Sequence, residues 1–367
     1  MILYYIFLLA VLSVFVNSRK IITKPYLTRN MDGVMPLYWK IGTSNDYLPN
    51  QLYKRVFNDF PICIYRDENE ELKAISDICI HRGASLSKGK LIQSKQNDCK
   101  TCVQCPYHGW EFIDGYVKRL PGSDKDYNIG VPKFKLYEYS NDVYLLPTFD
   151  ELSEKGNISN IKPKQSIYYP PEHYNHDFVK ISGSINVKAN HNLITENVLD
   201  MMHVSYVHTF GNSLSPLPFK IYYDDIDNLS GRTHFYYTSG ITSMSNILGN
   251  AKHVEVENEF HLPDTTVTRV RANENFIKTI VTRCFPINEK ESILFYDLYR
   301  NFLTLPINDV LFHYQMTKTL QEDIDILKDV YTDYQKGYIN TKYDITQVKF
   351  REKRNAFMKQ FKKPSEN

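Results

Sequence analysis

The chain has 367 residues, of which 42% are hydrophobic and 23% are charged, and its formal net charge is +2 at pH 7. This composition is typical of a soluble globular protein with room for two ordinary domains, and it gives no reason to predict a nucleic-acid partner. Six cysteines in a chain of this length exclude a disulfide framework. Four of them cluster within about 27 residues, which favours metal binding in a reducing compartment.

The first 18 residues are predicted to form a separate hydrophobic segment, because no charged residue precedes Arg19. As a helix, its first 16 residues would span about 24 Å, which is shorter than a hydrocarbon core of about 30 Å and suits a cleaved signal. However, Arg19, Lys20 and Lys24 follow the segment and no basic residue precedes it. We therefore expect residues 1–18 to be a membrane anchor with a cytosolic body, and signal targeting to another compartment is the alternative.

Residues 36–150 have the pattern of a small antiparallel β domain. A hairpin is predicted over residues 61–78, where two apolar runs flank the polar turn DENEE. Two loops that each contain a cysteine and a histidine follow, and the apolar run at 143–149 predicts a closing strand. A polar, proline-rich stretch at 150–170 predicts a linker.

Residues 170–340 predict an α+β domain with a twisted antiparallel sheet. The predicted elements are strands at 178–187, 253–260, 265–272 and 291–299, a helix at 192–203 and a long helix at 306–336. Pro306 in the first turn and Gly337 at the C-cap are the expected boundaries of the long helix. The basic tail, residues 349–367, is interpreted as a solvated end in preference to a membrane-surface helix or a reductase-docking surface.

Two loops of the β domain predict a metal site. Their candidate ligands are Cys79, His81, Cys105 and His108. Two thiolates and two imidazoles suit either structural zinc or a [2Fe–2S] cluster. Since each loop supplies one ligand of each kind, the pattern favours a cluster in which cysteines hold one iron and histidines the other. Gly83 and Gly109 would let backbone N–H groups approach the cluster.

Cys99 and Cys102 lie in the insertion between these loops. Together with Cys105 they form a run of cysteines at a spacing of three. The first two are interpreted as surface thiols in a long loop, and a redox pair or an accessory metal pair is the alternative. Cys105 is the better candidate ligand, because it precedes the sequence Pro-Tyr-His-Gly-Trp.

A second candidate metal site lies in the sequence ENVLDMMHVSYVHTFG. Its polar residues are Asn197, Asp200, His203 and His208. Two neutral imidazoles and one carboxylate can hold non-haem Fe(II) and leave positions open for O₂. On an ideal helix His203 and His208 would point about 140° apart, so we expect the helix to break between Val204 and His208.

The carboxylate ligand is predicted on the long helix. Asp323 lies about 60° from the centre of the apolar stripe of this helix, whereas Glu322, Asp325 and Asp329 face solvent at about 140–200°. An acid beside a buried face needs a partner, because an unpaired buried charge is costly. Asp323 is therefore the predicted ligand, and Asp325 is the alternative.

Both motifs together resemble those of Rieske-type non-haem iron oxygenases, over about residues 36–335. The loops CIHRGASLSKGKL and CPYHGWEF resemble the oxygenase type. The respiratory-chain type has an additional cysteine in each loop, where this chain has Ala84 and Tyr107. The EDIDIL-type helix is more similar to the monooxygenase, demethylase and desaturase branch, and distantly to the pheophorbide a oxygenases and sterol 7-desaturases.

This resemblance implies a Rieske β domain followed by a helix-grip (START-like) catalytic domain, with one [2Fe-2S] cluster and one mononuclear Fe(II) per chain. It also implies a homotrimer in which Asp200 bridges an iron-bound histidine and a cluster histidine of a neighbouring subunit, with Asn197 near the iron. An external NAD(P)H-dependent reductase or a ferredoxin would supply electrons, since the chain has no dinucleotide-binding fingerprint.

The implied reaction uses O₂ to hydroxylate, demethylate or desaturate an apolar substrate. The aromatic content and the predicted anchor favour a substrate that partitions into membranes, such as a sterol, a tetrapyrrole or another aromatic compound. Two other functions stay open at this point. The chain could be a Rieske electron-transfer protein without oxygenase activity, or a zinc-stabilised binding protein.

Overall fold

The computed structural model describes residues 20–21, 34–93, 100–123, 125, 127–147, 166–331 and 339–360. The chain divides into two compact units, one comprising residues 1–34 and 41–159 and the other residues 35–40 and 160–367. The predicted segment 1–18, most of the predicted linker and Cys99 lie outside the described residues. Among the residues that the structure describes, no helix is long and apolar enough to cross a membrane.

The first unit is built from short β-strands. Its strands within the described residues are β1 (Lys20–Ile21), β2 (Trp39–Thr43), β3 (Tyr53–Phe57), β4 (Phe60–Arg66), β5 (Leu72–Ser76), β6 (Lys90–Gln93), β7 (Thr101–Gln104), β8 (Glu111–Ile113), β9 (Tyr116–Arg119), β10 (Ile129–Gly130), β11 (Lys133–Tyr139) and β12 (Asp142–Leu146). They form two sheets, in the orders β1-β10-β9-β8-β7-β6 and β2-β12-β11-β5-β4-β3. The predicted hairpin is the antiparallel pair β4–β5, and the predicted closing strand is β12.

The apolar core of the first unit extends to the two cysteine-containing loops. Tyr65, Val103 and Phe112 are fully buried in it and pack in one cluster with Cys79 and Cys105. Burial of a large apolar side chain stabilises a fold by about 1.5–3 kcal/mol. The cysteine of each loop is therefore anchored in the apolar core, although the outer residues of the loops are exposed.

The second unit is one antiparallel sheet with helices packed on one face. Its strands are β13 (Val179–Val187), β14 (Phe219–Asp225), β15 (Ser230–Thr238), β16 (His253–His261), β17 (Thr265–Asn273), β18 (Phe276–Asn288) and β19 (Glu291–Arg300), in the order β13-β19-β18-β17-β16-β15-β14. Its helices within the described residues are α1 (His191–Leu199), α2 (Val204–Val207), α3 (Met244–Ile247), α4 (Asp309–Leu327) and α5 (Ile345–Lys359). This arrangement confirms the predicted α+β class with an antiparallel sheet and a long helix.

Helix α4 packs through one apolar face. Phe312, Met316 and Leu320 are spaced four residues apart, so their side chains lie on the same face. They share a core with Leu193 of α1 and Leu298 of β19. The helix ends at Leu327, whereas the sequence predicted an end near residue 336, and the predicted C-cap lies outside the described residues.

The basic C-terminal segment was predicted to be a solvated end, and this prediction is wrong for residues 349–359. They belong to α5, whose Phe350 is 2% exposed and packs edge-on against Phe260, with ring centroids 5.6 Å apart. Arg351 also forms an ion pair with Glu196 of α1 at 2.9 Å. Phe350, which lies between basic residues, therefore serves packing, which charge counting did not detect.

Two candidate metal-binding sites

The two loops of the first unit have the same backbone hydrogen-bond pattern. In each loop the cysteine N–H donates to the carbonyl five residues later, at 2.9 Å for Cys79 and 2.8 Å for Cys105. The carbonyls of these cysteines accept from the N–H groups of Gly83 and Gly109, at 2.8 and 3.1 Å. Both glycines have positive φ angles, +76° and +68°, which residues with side chains rarely adopt. Two separate segments thus form a matched pair of loops.

The loops bring two buried thiols and two exposed imidazoles together. Cys79 and Cys105 are each 2% exposed, and burial, followed by the neighbouring Cys105, raises the pKa of Cys79 to about 11. The ring centroids of His81 and His108 lie 4.5 Å apart, and His81 stacks on Trp110. This donor set fits a [2Fe–2S] cluster whose histidine-bound iron faces the surface, because the thiols form the inner pair and the imidazoles the outer pair.

Asp77 holds the first loop in place. Its buried carboxylate accepts hydrogen bonds from the Ser87 N–H at 2.6 Å and from the Ser85 hydroxyl, and its carbonyl accepts from the Leu86 N–H at 2.8 Å. Sequence reasoning missed this residue. A single aspartate two positions before Cys79 belongs to no recognisable sequence motif, and its role depends on contacts with residues that only the folded loop brings near it.

Cys102 was interpreted as a surface thiol, and this interpretation is wrong. It lies on β7 opposite Ile92 and is fully buried. Its neighbours Thr101 and Val103, which point to the other face, are buried as well, so both faces of β7 are covered at this point.

The second candidate site begins where α1 ends. The helix ends at Leu199 with Asp200 as its extended C-cap, and the Asp200 carboxylate accepts from the N–H groups of Met202 and His203, at 2.6 and 3.3 Å. A carboxylate that bonds its own following backbone favours a turn over a helix. The chain then forms the single turn α2 and extends again at His208. The predicted break between Val204 and His208 is confirmed, because α2 ends at Val207, and the main helix also ends earlier than the predicted residue 203.

Three side chains converge from α4 and from the ends of α2. The Nε2 atoms of His203 and His208 each lie 3.5 Å from Oδ1 of Asp323. Asp323 is 8% exposed, and its Oδ1 is a buried atom without a hydrogen-bond partner among the described residues. Asp325, the alternative ligand, points away and pairs with Lys328 at 3.1 Å. The group therefore has the composition and spacing needed to hold one metal ion.

Hydrogen bonds orient both imidazoles toward Asp323. His203 Nδ1 lies 2.9 Å from the Asp200 carbonyl, and His208 Nδ1 lies 3.0 Å from Oε2 of Glu322. Burial lowers the pKa of both histidines, in the case of His208 to about 4, so both rings are neutral near pH 7. With the proton on Nδ1, each Nε2 presents a lone pair, which is the form that binds metals.

Two further residues complete the surroundings of Asp323. Burial raises the pKa of this carboxyl group to about 7, while a hydrogen bond from Asn197 opposes the rise. Glu322 was expected to face solvent, and this expectation is wrong, because only 18% of its side chain is exposed and it contacts His208. A helical wheel locates the apolar stripe but cannot show that another segment covers the flank of the helix.

A cavity of about 570 Å³ opens beside this group and falls within the size range of small-molecule sites. Its lining on the sheet is mainly apolar and includes Phe235, Val254, Val256, Val270 and Ile280. Residues of α4 cover the other side. The three metal-binding candidates thus face a mainly apolar cavity.

Another group of potential ligands lies on the opposite face of the same sheet. His234, Glu255 and Glu257 also come within reach of a single ion. Arg269 forms an ion pair with Glu257, and Arg271 lies 3.8 Å from Glu255. These arginines already neutralise the glutamates, so the group is an ion-pair network and we assign it no metal.

Comparisons with known proteins agree with this arrangement. The family model described as Rieske [2Fe-2S] domain matches residues 38–140, and that described as vanillate O-demethylase oxygenase C-terminal domain matches residues 187–360. Chlorophyllide a oxygenase from Chlamydomonas reinhardtii is 30% identical over 41% of this chain and 20% of its own length. The oxygenase component of dicamba O-demethylase from Stenotrophomonas maltophilia is 27% identical over 46% of each chain.

These matches span less than half of the length of either curated relative. A crystal structure of dicamba monooxygenase bound to dicamba superposes with a TM-score of 0.70 at 17% identity, covering 89% of this chain and 97% of that one. The likeness in structure shows the shared fold, and the two family models cover both of the units that contain the candidate sites. The chain belongs to the Rieske-type non-haem iron oxygenases, with a Rieske [2Fe-2S] domain followed by a mononuclear iron domain.

Proposed function

We propose that this protein is the oxygenase component of a system that uses O₂ and electrons from an external NAD(P)H-dependent reductase, directly or through a ferredoxin. Its reaction is the hydroxylation, demethylation or desaturation of an organic substrate with an apolar body. One observation carries the proposal. The convergent imidazoles of His203 and His208 and the unpartnered carboxylate oxygen of Asp323 face a 570 Å³ apolar cavity.

In this proposal the metal ligands are Cys79, His81, Cys105 and His108 for the cluster, and His203, His208 and Asp323 for Fe(II). When bound, the two centres supply one-electron transfer and dioxygen chemistry. The side chains around the two centres orient their ligands. Asp200 and Glu322 hold the two imidazoles in the neutral, Nε2-binding form, and Asn197 orients the Asp323 carboxylate.

The cavity orients the substrate and excludes water. Its apolar strand residues can hold a ring system against the sheet, which fixes one C–H bond near the metal ligands. The names of two relatives, a chlorophyllide a oxygenase and a dicamba O-demethylase, support oxidation of ring-containing substrates here.

The assembly and location are further parts of the proposal. A homotrimer in which Asp200 connects His203 to a cluster histidine of the next subunit would provide the electron path. Within one chain the contact with His203 Nδ1 is made by the backbone carbonyl of Asp200, and its carboxylate accepts from the N–H groups of Met202 and His203. Membrane association through residues 1–18 is proposed on sequence grounds, and signal targeting remains the alternative. Partition of the full chain and of a chain lacking residues 1–18 between membranes and supernatant tests it.

Metal analysis of anaerobically purified protein tests the proposed function. We expect about three irons per two acid-labile sulfides, together with substrate-dependent O₂ uptake. Asp323→Ala should lower the ratio to about two irons per two sulfides, while the matched control Asp325→Ala should retain three. Equal iron and sulfide in the unmodified protein, without O₂ uptake, would instead favour an electron-transfer protein. Zinc without sulfide would contradict both functions.

A further inference from the structure

A single lysine lies on the sheet side of the apolar cavity. Lys278 is on β18 and lines the cavity together with Ile280 and Thr282 of the same strand. Alternate residues of a strand share a face, so the Lys278 side chain points to the face that α4 covers. Its partner across the β17–β18 pairing is Val270, another cavity residue.

The ammonium group of Lys278 has no charged partner in the part of the chain that the structure describes. No hydrogen bond or ion pair of these residues reaches its Nζ, which lies 6.0 Å from the centroid of the Phe210 ring. Burial lowers the pKa of Lys278, and no acidic group opposes that effect. Lys318, the other lysine of the lining, differs because its side chain is 48% exposed and lies 4.0 Å from Glu322.

Lys278 is also close to the candidate iron ligands. The ring of Phe210 stacks on His208 with centroids 4.9 Å apart and planes 14° apart. One aromatic ring therefore separates the ammonium group from a metal-binding candidate, a distance that a single small molecule can span.

We infer that the substrate carries an anionic group, a carboxylate or a sulfonate, which pairs with Lys278 while its apolar body lies against the valine-lined part of the sheet. This inference rests on the proposed function and narrows its substrate class. An unpaired cation in an apolar cavity is costly, and an anionic ligand removes that cost by supplying a charge-assisted hydrogen bond. Substrates that are apolar throughout, such as unmodified sterols, would leave Lys278 unpaired.

A pair of fluorescent probes separates the contribution of the anion from that of the apolar body. 8-Anilinonaphthalene-1-sulfonate is anionic, and N-phenyl-1-naphthylamine has the same ring skeleton without the sulfonate. The dissociation constants of both probes are measured by titration of the metal-loaded full chain, for the unmodified protein, Lys278→Met and Lys278→Gln. Lys252→Met is the matched control, because Lys252 is exposed, outside the cavity lining, and its loss changes the net charge equally.

Loss of a charge-assisted hydrogen bond should weaken binding of the anionic probe by about ten- to a hundredfold. We expect this loss in both Lys278 variants, no change in binding of the neutral probe, and no change of either in Lys252→Met. The difference should persist in 0.5 M NaCl, because buried pairs are screened little. Unchanged binding of the neutral probe also shows that the variants fold with an intact cavity.

The inference is overturned if, in both Lys278 variants, the ratio of the two probes' dissociation constants stays within about twofold of the ratio in the unmodified protein. A ratio that changes equally in Lys252→Met also overturns it, since the effect would then come from net charge. Metal analysis of the same preparations reports on the proposed function independently. Missing iron contradicts that function, whereas filled iron sites with no preference for the anion contradict only the role of Lys278.

Discussion

Removal of the Glu322 carboxylate should weaken the mononuclear iron site without touching a ligand. Glu322 Oε2 lies 3.0 Å from His208 Nδ1, and the His208 side chain is only 4% exposed. In Glu322→Ala the buried Nδ1–H loses its acceptor, which costs about 1–3 kcal/mol. The imidazole also becomes less basic and less firmly oriented, and partners of this kind typically contribute 10- to 100-fold to metal affinity.

We therefore expect Glu322→Ala to lower the affinity for Fe(II) by about 10- to 100-fold, and Glu322→Gln, which keeps an acceptor, by less. Competition with a chromophoric Fe(II) chelator under anaerobic conditions measures this change, and visible absorption of the cluster shows whether the first unit stays intact. Asp325→Ala is the matched control, because Asp325 is an exposed acid on the same helix. Equal Fe(II) retention in Glu322→Ala and Asp325→Ala would refute a role of Glu322 in metal binding.

Three other predictions concern the scaffold. Asp77→Ala should remove two hydrogen bonds from the first cluster loop and destabilise it by about 2 kcal/mol, seen as faster loss of visible absorption during urea unfolding. Burial alone would raise the pKa of Asp297, but the charges of Lys40 and Arg283 lower it to about 2. The ionised Asp297 carboxylate therefore stabilises the fold above pH 4, and this stabilisation is lost as the pH falls toward 2. In urea unfolding, the free energy of unfolding of Asp297→Asn should fall by about 2 kcal/mol less than that of the unmodified protein over this pH range. Phe350→Ala should lower the free energy of unfolding of the second unit by about 3 kcal/mol, and a change below 0.5 kcal/mol would show that α5 does not support it.

Local patterns in the sequence were sufficient for β4, β5, β12, β13, β16, β17 and β19 and for the choice of candidate ligands, whereas β14, β15 and β18 were not predicted. The loop ligands lie two or three residues from each other, so chain geometry alone keeps each pair together. Asp323 was singled out by its position beside the apolar stripe of α4, because a helix that packs on a sheet must bury that stripe. The α+β class followed from the alternation of apolar residues in the same way.

Contacts between distant segments were decided by the tertiary structure. Glu322 and His208 are 114 residues apart in sequence, and the helical wheel placed Glu322 in solvent because it contains no information about α2. The early end of α1 depends on the turn that Asp200 forms, and the burial of Phe350 depends on the surface that β15 and β16 present. Nothing in the sequence around Lys278 distinguishes it from other strand residues, and its position on the sheet side of the apolar cavity follows only from the packing of α4 over the sheet. The candidate ligands could therefore be chosen from local sequence, whereas the residues that orient them, and the surroundings of Lys278, depend on packing between segments far apart in the chain.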